Sequence, residues 1–164
     1  YIMFSEEIST LCVNLGRQCE VNRIKIVTAE SCTAGLLSAA ITHIDGSSNW
    51  FERGYVTYSN AAKIDCLDIN AEDIDAFGAV SSQIATQMAL GALKKTSANL
   101  SIGITGIAGP TGGSKIKPVG TVYFAVARNG QIVFERKVLF EGNRGIIREH
   151  AVIFAINTLL KLTL

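Results

Sequence analysis

The stretch Arg23-Ile24-Lys25-Ile26-Val27-Thr28-Ala29-Glu30-Ser31-Cys32-Thr33-Ala34-Gly35-Leu36-Leu37 decides the fold. Its first part, 23–28, alternates in character and carries β-branched residues, so it reads as a strand. The remainder turns directly into a helix with Leu36, Leu37, Ala40, Ile41 and Ile44 on its apolar face. Gly46-Ser47-Ser48 closes that helix. A strand that feeds straight into a helix is the first half of a βαβ unit, and such units build parallel sheet.

Working outward, Ser5 is placed to cap a helix through Leu15, with Ile8, Leu11, Cys12 and Leu15 on one face. The segment 54–58 reads as a second strand and runs into Asn60 and a short helix bearing Lys63. Residues 71–77 form another short helical piece. Ser81 then caps a long helix with Ile84, Ala85, Met88, Ala92 and Leu93 inward. The segments 100–105, 120–127 and 131–140 read as further strands, the last two joined at the hairpin signal Asn129-Gly130. A final helix spans 144–160. Strands alternate with helices early and follow one another late. The first three strands are therefore expected to be parallel and the last three an antiparallel meander, in a mixed sheet with helices on both faces. With 164 residues, 48% of them hydrophobic, one domain covering 1–164 is expected.

Bulk numbers narrow the function. Lys and Arg total 15 against 14 for Asp and Glu, a net charge of +1. That balance argues against nucleic-acid binding by counterion release. No apolar run approaches the roughly 18–20 residues needed to cross a membrane. Residues 1–5 show no positive leader, so no signal peptide is expected. The cysteines, Cys12, Cys19, Cys32 and Cys66, form no CxxC pair, and His43 and His150 have no ligand partners at zinc-like spacing. Reduced thiols in a cytoplasmic protein without a metal or cofactor are the expectation.

Ligands of such sheets sit beyond the carboxyl ends of the parallel strands. Three segments meet there: Glu30-Ser31, Tyr58-Ser59-Asn60 and Thr105-Gly106. Ser31 reads as a nucleophile beside the free N–H groups of a helical turn, or simply as that helix's cap along with Thr33. Cys32 is a rival on the same turn. With no histidine near, a lysine of lowered pKa or a relaying tyrosine would have to activate Ser31. Lys63 and Tyr58 are the candidates. Each on its own also fits a plain reading, Lys63 as a solvated helix residue and Tyr58 as a buried strand aromatic.

Both prolines, Pro110 and Pro118, and six of the glycines fall within 103–120. A long glycine-rich loop here, Thr105-Gly106-Ile107-Ala108-Gly109 onward, can bring backbone N–H groups to a phosphate or ribose. Arg144 and Arg148 lie one turn apart at the start of the last helix, where the helix dipole disfavours cations. A phosphate partner or Glu141 would account for them.

Together these blocks resemble the CinA C-terminal domain family. Thr28-Ala29-Glu30-Ser31-Cys32-Thr33-Ala34-Gly35 is similar to its AESCTGG signature. Tyr58-Ser59-Asn60-Ala61-Ala62-Lys63, Gly78-Ala79-Val80-Ser81, and Thr105-Gly106-Ile107-Ala108-Gly109-Pro110 with Lys117-Pro118-Val119-Gly120-Thr121-Val122 follow in register. The resemblance implies a three-layer α/β/α sandwich with a five-stranded mixed sheet, and homo-oligomers. It implies an amidohydrolase that converts nicotinamide mononucleotide to nicotinate mononucleotide and ammonia in pyridine-nucleotide recycling. A catalytically weak nucleotide-binding or protein-interaction member of the family is the alternative. Ser31, Tyr58 and Lys63 would carry catalysis. Glu30, Cys32, Thr33, Asn60, Thr105, Gly106, Ala108, Gly109 and Arg144 would bind substrate. Three positions depart from the pattern. Ala34 replaces a glycine and is expected to crowd a ligand. Asn143 stands where an aspartate is usual. Cys66 and Asp68 occupy a stretch that is commonly more apolar.

Overall fold

A computed structural model describes residues 4–164. Residues 1–3, part of the stretch where no leader is expected, lie outside the described residues.

The chain opens with α1 (Glu6–Asn22), where the Ser5 hydroxyl accepts the Ile8 N–H at 3.3 Å. The helix runs past the expected Leu15 because Gly16 and Cys19 continue its buried stripe. It stops at Arg23, whose left-handed φ of 54° breaks the trajectory. The first strand is displaced accordingly: β1 spans Ile26–Glu30 rather than 23–28. After α2 (Leu36–Thr42) and a 3₁₀ turn at Ser47–Asn49 comes β2 (Phe51–Val56), which ends short of Tyr58. Then follow α3 (Asn60–Leu67), α4 (Ala71–Phe77), α5 (Ser82–Lys94), β3 (Leu100–Gly106), β4 (Thr121–Arg128), β5 (Gln131–Leu139) and α6 (Arg144–Leu162).

The five strands form one mixed sheet in the order β2-β1-β3-β4-β5. β2, β1 and β3 are parallel, and β3, β4 and β5 are antiparallel, as the pattern of elements predicts. Alternate side chains feed two cores. Ile26, Ile102, Ile104, Val122 and Phe124 pack under α1, α2 and α6, with Ile8, Leu15, Leu37, Ile41, Ala151 and Ile156. On the other face Val27, Ala29 and Ala125 pack under α3, α4 and α5, with Leu67, Ile74, Ile84, Ala85 and Met88. This is an α/β/α sandwich. α5 presses so closely on the sheet that a side chain at Gly103 would strike the Ala85 carbonyl.

One local departure matters for the site. α2 does not begin at Ser31. Residues 31–35 make a separate turn, because Ala34 (φ 49°) and Gly35 (φ 88°) both adopt the left-handed region. Neither Ser31 nor Thr33 caps α2. Its first turn is satisfied instead by Glu30, at the end of β1.

Candidate active site

Glu30 is fully buried, and both carboxylate oxygens are engaged. Oε2 accepts the N–H groups of Gly35 and Leu37, each at 3.1 Å. Oε1 accepts the Ser38 N–H at 2.9 Å and the Ser38 hydroxyl at 2.6 Å. A carboxylate against the N-terminus of a helix suits both its free donors and its dipole. Glu30 therefore corrects the expectation of a substrate contact: it faces away from the cleft and shapes the turn that carries Ser31.

That turn forms one wall of a cleft of about 290 Å³ at the carboxyl ends of β1 and β3. Ser31, Cys32, Tyr58, Asn60, Lys63, Thr105, Gly106, Ala108, Gly109 and Arg144 line it. Thr33 does not. Its side chain is buried, its hydroxyl has no hydrogen-bond partner, and its carbonyl faces α6. Ala79, Val80, Ile107, Thr111 and Gly112 complete the lining; they lie in motif blocks singled out in the sequence but carry no polar side chain there except Thr111. Among the described residues no acidic side chain lines the cleft, whereas Lys63 and Arg144 do.

Lys63 is only 1% exposed, which excludes the reading as a solvated helix residue. Its Nζ lies 3.0 Å from Ser31 Oγ, 2.8 Å from the Thr57 carbonyl and 3.3 Å from the Tyr58 carbonyl. Burial pushes the amine below its ordinary value of 10.5. A neutral amine has two N–H groups and one lone pair. In the structure Nζ donates to Ser31 Oγ and to the two carbonyls; on losing a proton it would keep two N–H groups for the carbonyls and turn its lone pair to the Ser31 O–H. Cys32 has the opposite character: burial pushes its thiol up to about 12, which the neighbouring Cys32 and Thr33 amides only partly oppose. Such a thiol is no nucleophile near neutral pH.

Tyr58 is exposed at the cleft mouth rather than buried in the strand. Arg144 reaches across to it: Nη2 donates to the Tyr58 hydroxyl at 3.0 Å and Nη1 to the Gly109 carbonyl at 2.8 Å. Thr105 spends its proton on the Ala79 carbonyl at 2.8 Å, which ties β3 to the segment before α5. Gly109 holds a φ of 78° with the Val119 side chain packed where a Cβ would stand, and the Gly109–Pro110 bond is cis. Ile107 N–H is used by Thr121, whereas the N–H groups of Ala108 and Gly109 make no backbone hydrogen bond.

Two residues behave otherwise than expected. Ala34 is exposed and outside the cleft lining, so its methyl crowds no ligand; its cost is the left-handed backbone. Arg148 neither lines the cleft nor meets Glu141. It donates from Nε to the Cys32 carbonyl at 3.1 Å and from Nη2 to the Thr33 carbonyl at 2.9 Å. Asn143 caps α6 by accepting the Ile146 N–H at 3.1 Å, a role that asparagine fills as well as aspartate. Asp68 ends α3 in the left-handed region and pairs with Lys95 at 2.9 Å; Cys66 is exposed.

A larger hollow of about 660 Å³ lies between β5 and α6, lined by Phe134, Phe140, His150 and Phe154 among others. Among the described residues its lining holds no serine or cysteine, and it lies away from the parallel strand ends. Among the described residues, no cluster of His, Cys, Asp or Glu stands close enough to hold a metal ion, and no helix is long and apolar enough to cross a membrane.

Residues 8–163 match the CinA C-terminal domain family. The chain is 43% identical to the nicotinamide-nucleotide amidohydrolase PncC of Escherichia coli K12, over 96% of this chain and 95% of that one. The PncC of Pseudomonas putida is 42% identical over 96% of this chain and 98% of its own length. Among solved structures, the competence/damage inducible protein CihA of Agrobacterium tumefaciens superposes with a TM-score of 0.95 at 42% identity, covering the whole of both chains.

Proposed function

The chain belongs to the CinA C-terminal domain family, and from that premise we propose that it hydrolyses the carboxamide of nicotinamide mononucleotide to nicotinate mononucleotide and ammonia. The relatives named for that activity match along nearly their whole length. Residues 1–164 would then act as one amidohydrolase domain in pyridine-nucleotide recycling. The observation that carries the chemistry is the buried Lys63 amine 3.0 Å from Ser31 Oγ.

In this reading neutral Lys63 takes the Ser31 proton as Oγ attacks the carboxamide carbon. The carbonyl oxygen becomes an oxyanion, held by the N–H groups of Cys32 and Thr33. The C–N bond breaks, and the proton taken from Ser31 leaves with the nitrogen as ammonia. Because Arg144 donates to the Tyr58 oxygen, the Tyr58 proton stays free to serve as relay at the cleft mouth. Water then attacks the ester, Lys63 accepts its proton, and Ser31 regains a hydroxyl as nicotinate mononucleotide departs. In this reading Lys63 would be the base and Tyr58 the relay, a division supported by the short Lys63–Ser31 contact.

The cleft's charge fits an anionic mononucleotide. Arg144, Asn60, the Thr105 oxygen and the free N–H groups of Ala108 and Gly109 would receive its ribose and phosphate. Ammonia release from nicotinamide mononucleotide, with free nicotinamide as control, tests the assignment. Ser31→Ala should lose at least ~10³-fold in rate with its thermal midpoint little changed. Near-wild-type turnover in that variant would remove Ser31 as nucleophile.

A further inference from the structure

Arg148 stands outside the cleft, yet its guanidinium spans the turn behind the nucleophile. It donates to two consecutive carbonyls, those of Cys32 and Thr33. In a trans peptide the C=O of one residue and the N–H of the next point in opposite directions. Fixing the Cys32 carbonyl therefore fixes the Thr33 N–H, and aims it away from Arg148. The guanidinium lies on the α1 side of the turn, among Phe4, Ile8 and Leu36. Cys32 lines the cleft on the other side. The Thr33 N–H makes no hydrogen bond to an oxygen among the described residues; its neighbour is the Cys32 sulfur. The next peptide is held as well: the Thr33 carbonyl accepts from Arg148 and from the Leu36 N–H, while the Ala34 N–H closes onto the Ser31 carbonyl at 3.0 Å.

We propose that Arg148 is a positioning residue for hydrolysis: by clamping the Cys32 and Thr33 carbonyls it holds the turn that presents Ser31 and the Cys32 N–H, as oxyanion donor, to the cleft. The proposal rests on Ser31 being the nucleophile. It differs from the role given to Arg144, which meets the substrate itself. A donor aimed at developing charge acts in the transition state and leaves ground-state binding alone. The planar fork also matters. Lysine offers one charged point on a flexible stem rather than a planar fork, so it would fix the orientation of the two carbonyls less well.

Arg148→Gln and Arg148→Lys should each lower kcat for ammonia release, Gln by about 10–100-fold and Lys by less, with KM within about twofold of wild type. A fluorophosphonate that phosphonylates Ser31 Oγ with loss of fluoride supplies a second readout, because its P=O oxygen needs the same donors whatever the natural substrate. The labelling rate should fall in parallel, and the label's stoichiometry counts the folded sites. A role in helix packing alone would lower the thermal midpoint and the stoichiometry, and leave the rate per labelled site unchanged; that result would overturn the proposal. A raised KM at constant kcat would do the same, making Arg148 a substrate contact. If the wild-type protein takes the label at Ser31 but releases no ammonia, the substrate assignment falls, and slowed labelling in the variants still upholds the clamp. Failure of Ser31 to take the label at all would overturn it.

Discussion

Glu30→Gln is expected to destabilise the protein by about 3–6 kcal/mol. The native carboxylate accepts four hydrogen bonds, two at each oxygen. An amide keeps one oxygen and turns an NH₂ group toward the other pair of donors. If the oxygen stays with Ser38, the N–H groups of Gly35 and Leu37 lose their acceptor and face another donor. Hydrogen bonds to a charged group are worth about 1.5–3 kcal/mol each, and two are lost. Loss of the negative charge at the N-terminus of α2 removes several tenths more. Set against a typical stability of about 5–15 kcal/mol, the variant would be marginal. Urea denaturation with the slope held in common measures the difference. A loss below about 1 kcal/mol would refute the cap. Were stability unchanged while KM for the mononucleotide rose, Glu30 would be the substrate contact that its place beside Ser31 suggests.

The remaining expectations are simpler. Hydrolysis should increase with pH as Lys63 loses its proton, with a midpoint below 10.5, and Lys63→Met should abolish both the rate and this limb; a pH–rate profile with an unmoved limb would count against Lys63 as base. The same shift links to folding: between the lowered folded value and 10.5 the unfolded chain binds more protons, so this group's contribution to stability rises with pH there. Lys63→Met should flatten that slope in denaturation curves taken across the window. Ala34→Gly should stabilise by about 1 kcal/mol, since glycine adopts a φ of 49° without the Cβ penalty, and raise the midpoint by about 2–4 °C with activity unchanged; a lower midpoint would show that the turn is not strained.

Much of this was legible in the sequence because periodicity and chain order speak directly to topology. Strand–turn–helix at 23–37 announces parallel sheet, and parallel strand ends announce the cleft; Ser31 and Thr105 follow from their places on those ends, Lys63 and Arg144 from the first turns of α3 and α6. What stayed hidden depends on the sign of φ and on which way a side chain turns. A glutamate closing a strand reads alike whether it faces a ligand or folds back under the next helix. The choice was made at Ala34 and Gly35, whose left-handed backbone delays α2 and opens its first turn to Glu30. Arg144 and Arg148 share a helix face one turn apart, and spacing cannot separate one that reaches Tyr58 from one that holds carbonyls. Tyr58 escaped its strand because β2 ends at Val56, which sets the ring beyond the sheet.

α6 reaches the mouth of the cleft with its first turn, through Arg144. From its first turns Arg144 binds Gly109 and Tyr58, while Arg148 binds Cys32 and Thr33. Every other residue of the site precedes this helix in the chain. On the ribosome, β1 through β3 can therefore emerge with Ser31 and Lys63 already in hand, but with the mouth untied and the turn behind Ser31 unclamped. Assembly of the sheet and completion of the cleft become separate events in the life of a nascent molecule, and a chain released before residue 144 would carry Ser31 and Lys63 without the two arginines that tie the cleft mouth and the turn behind Ser31.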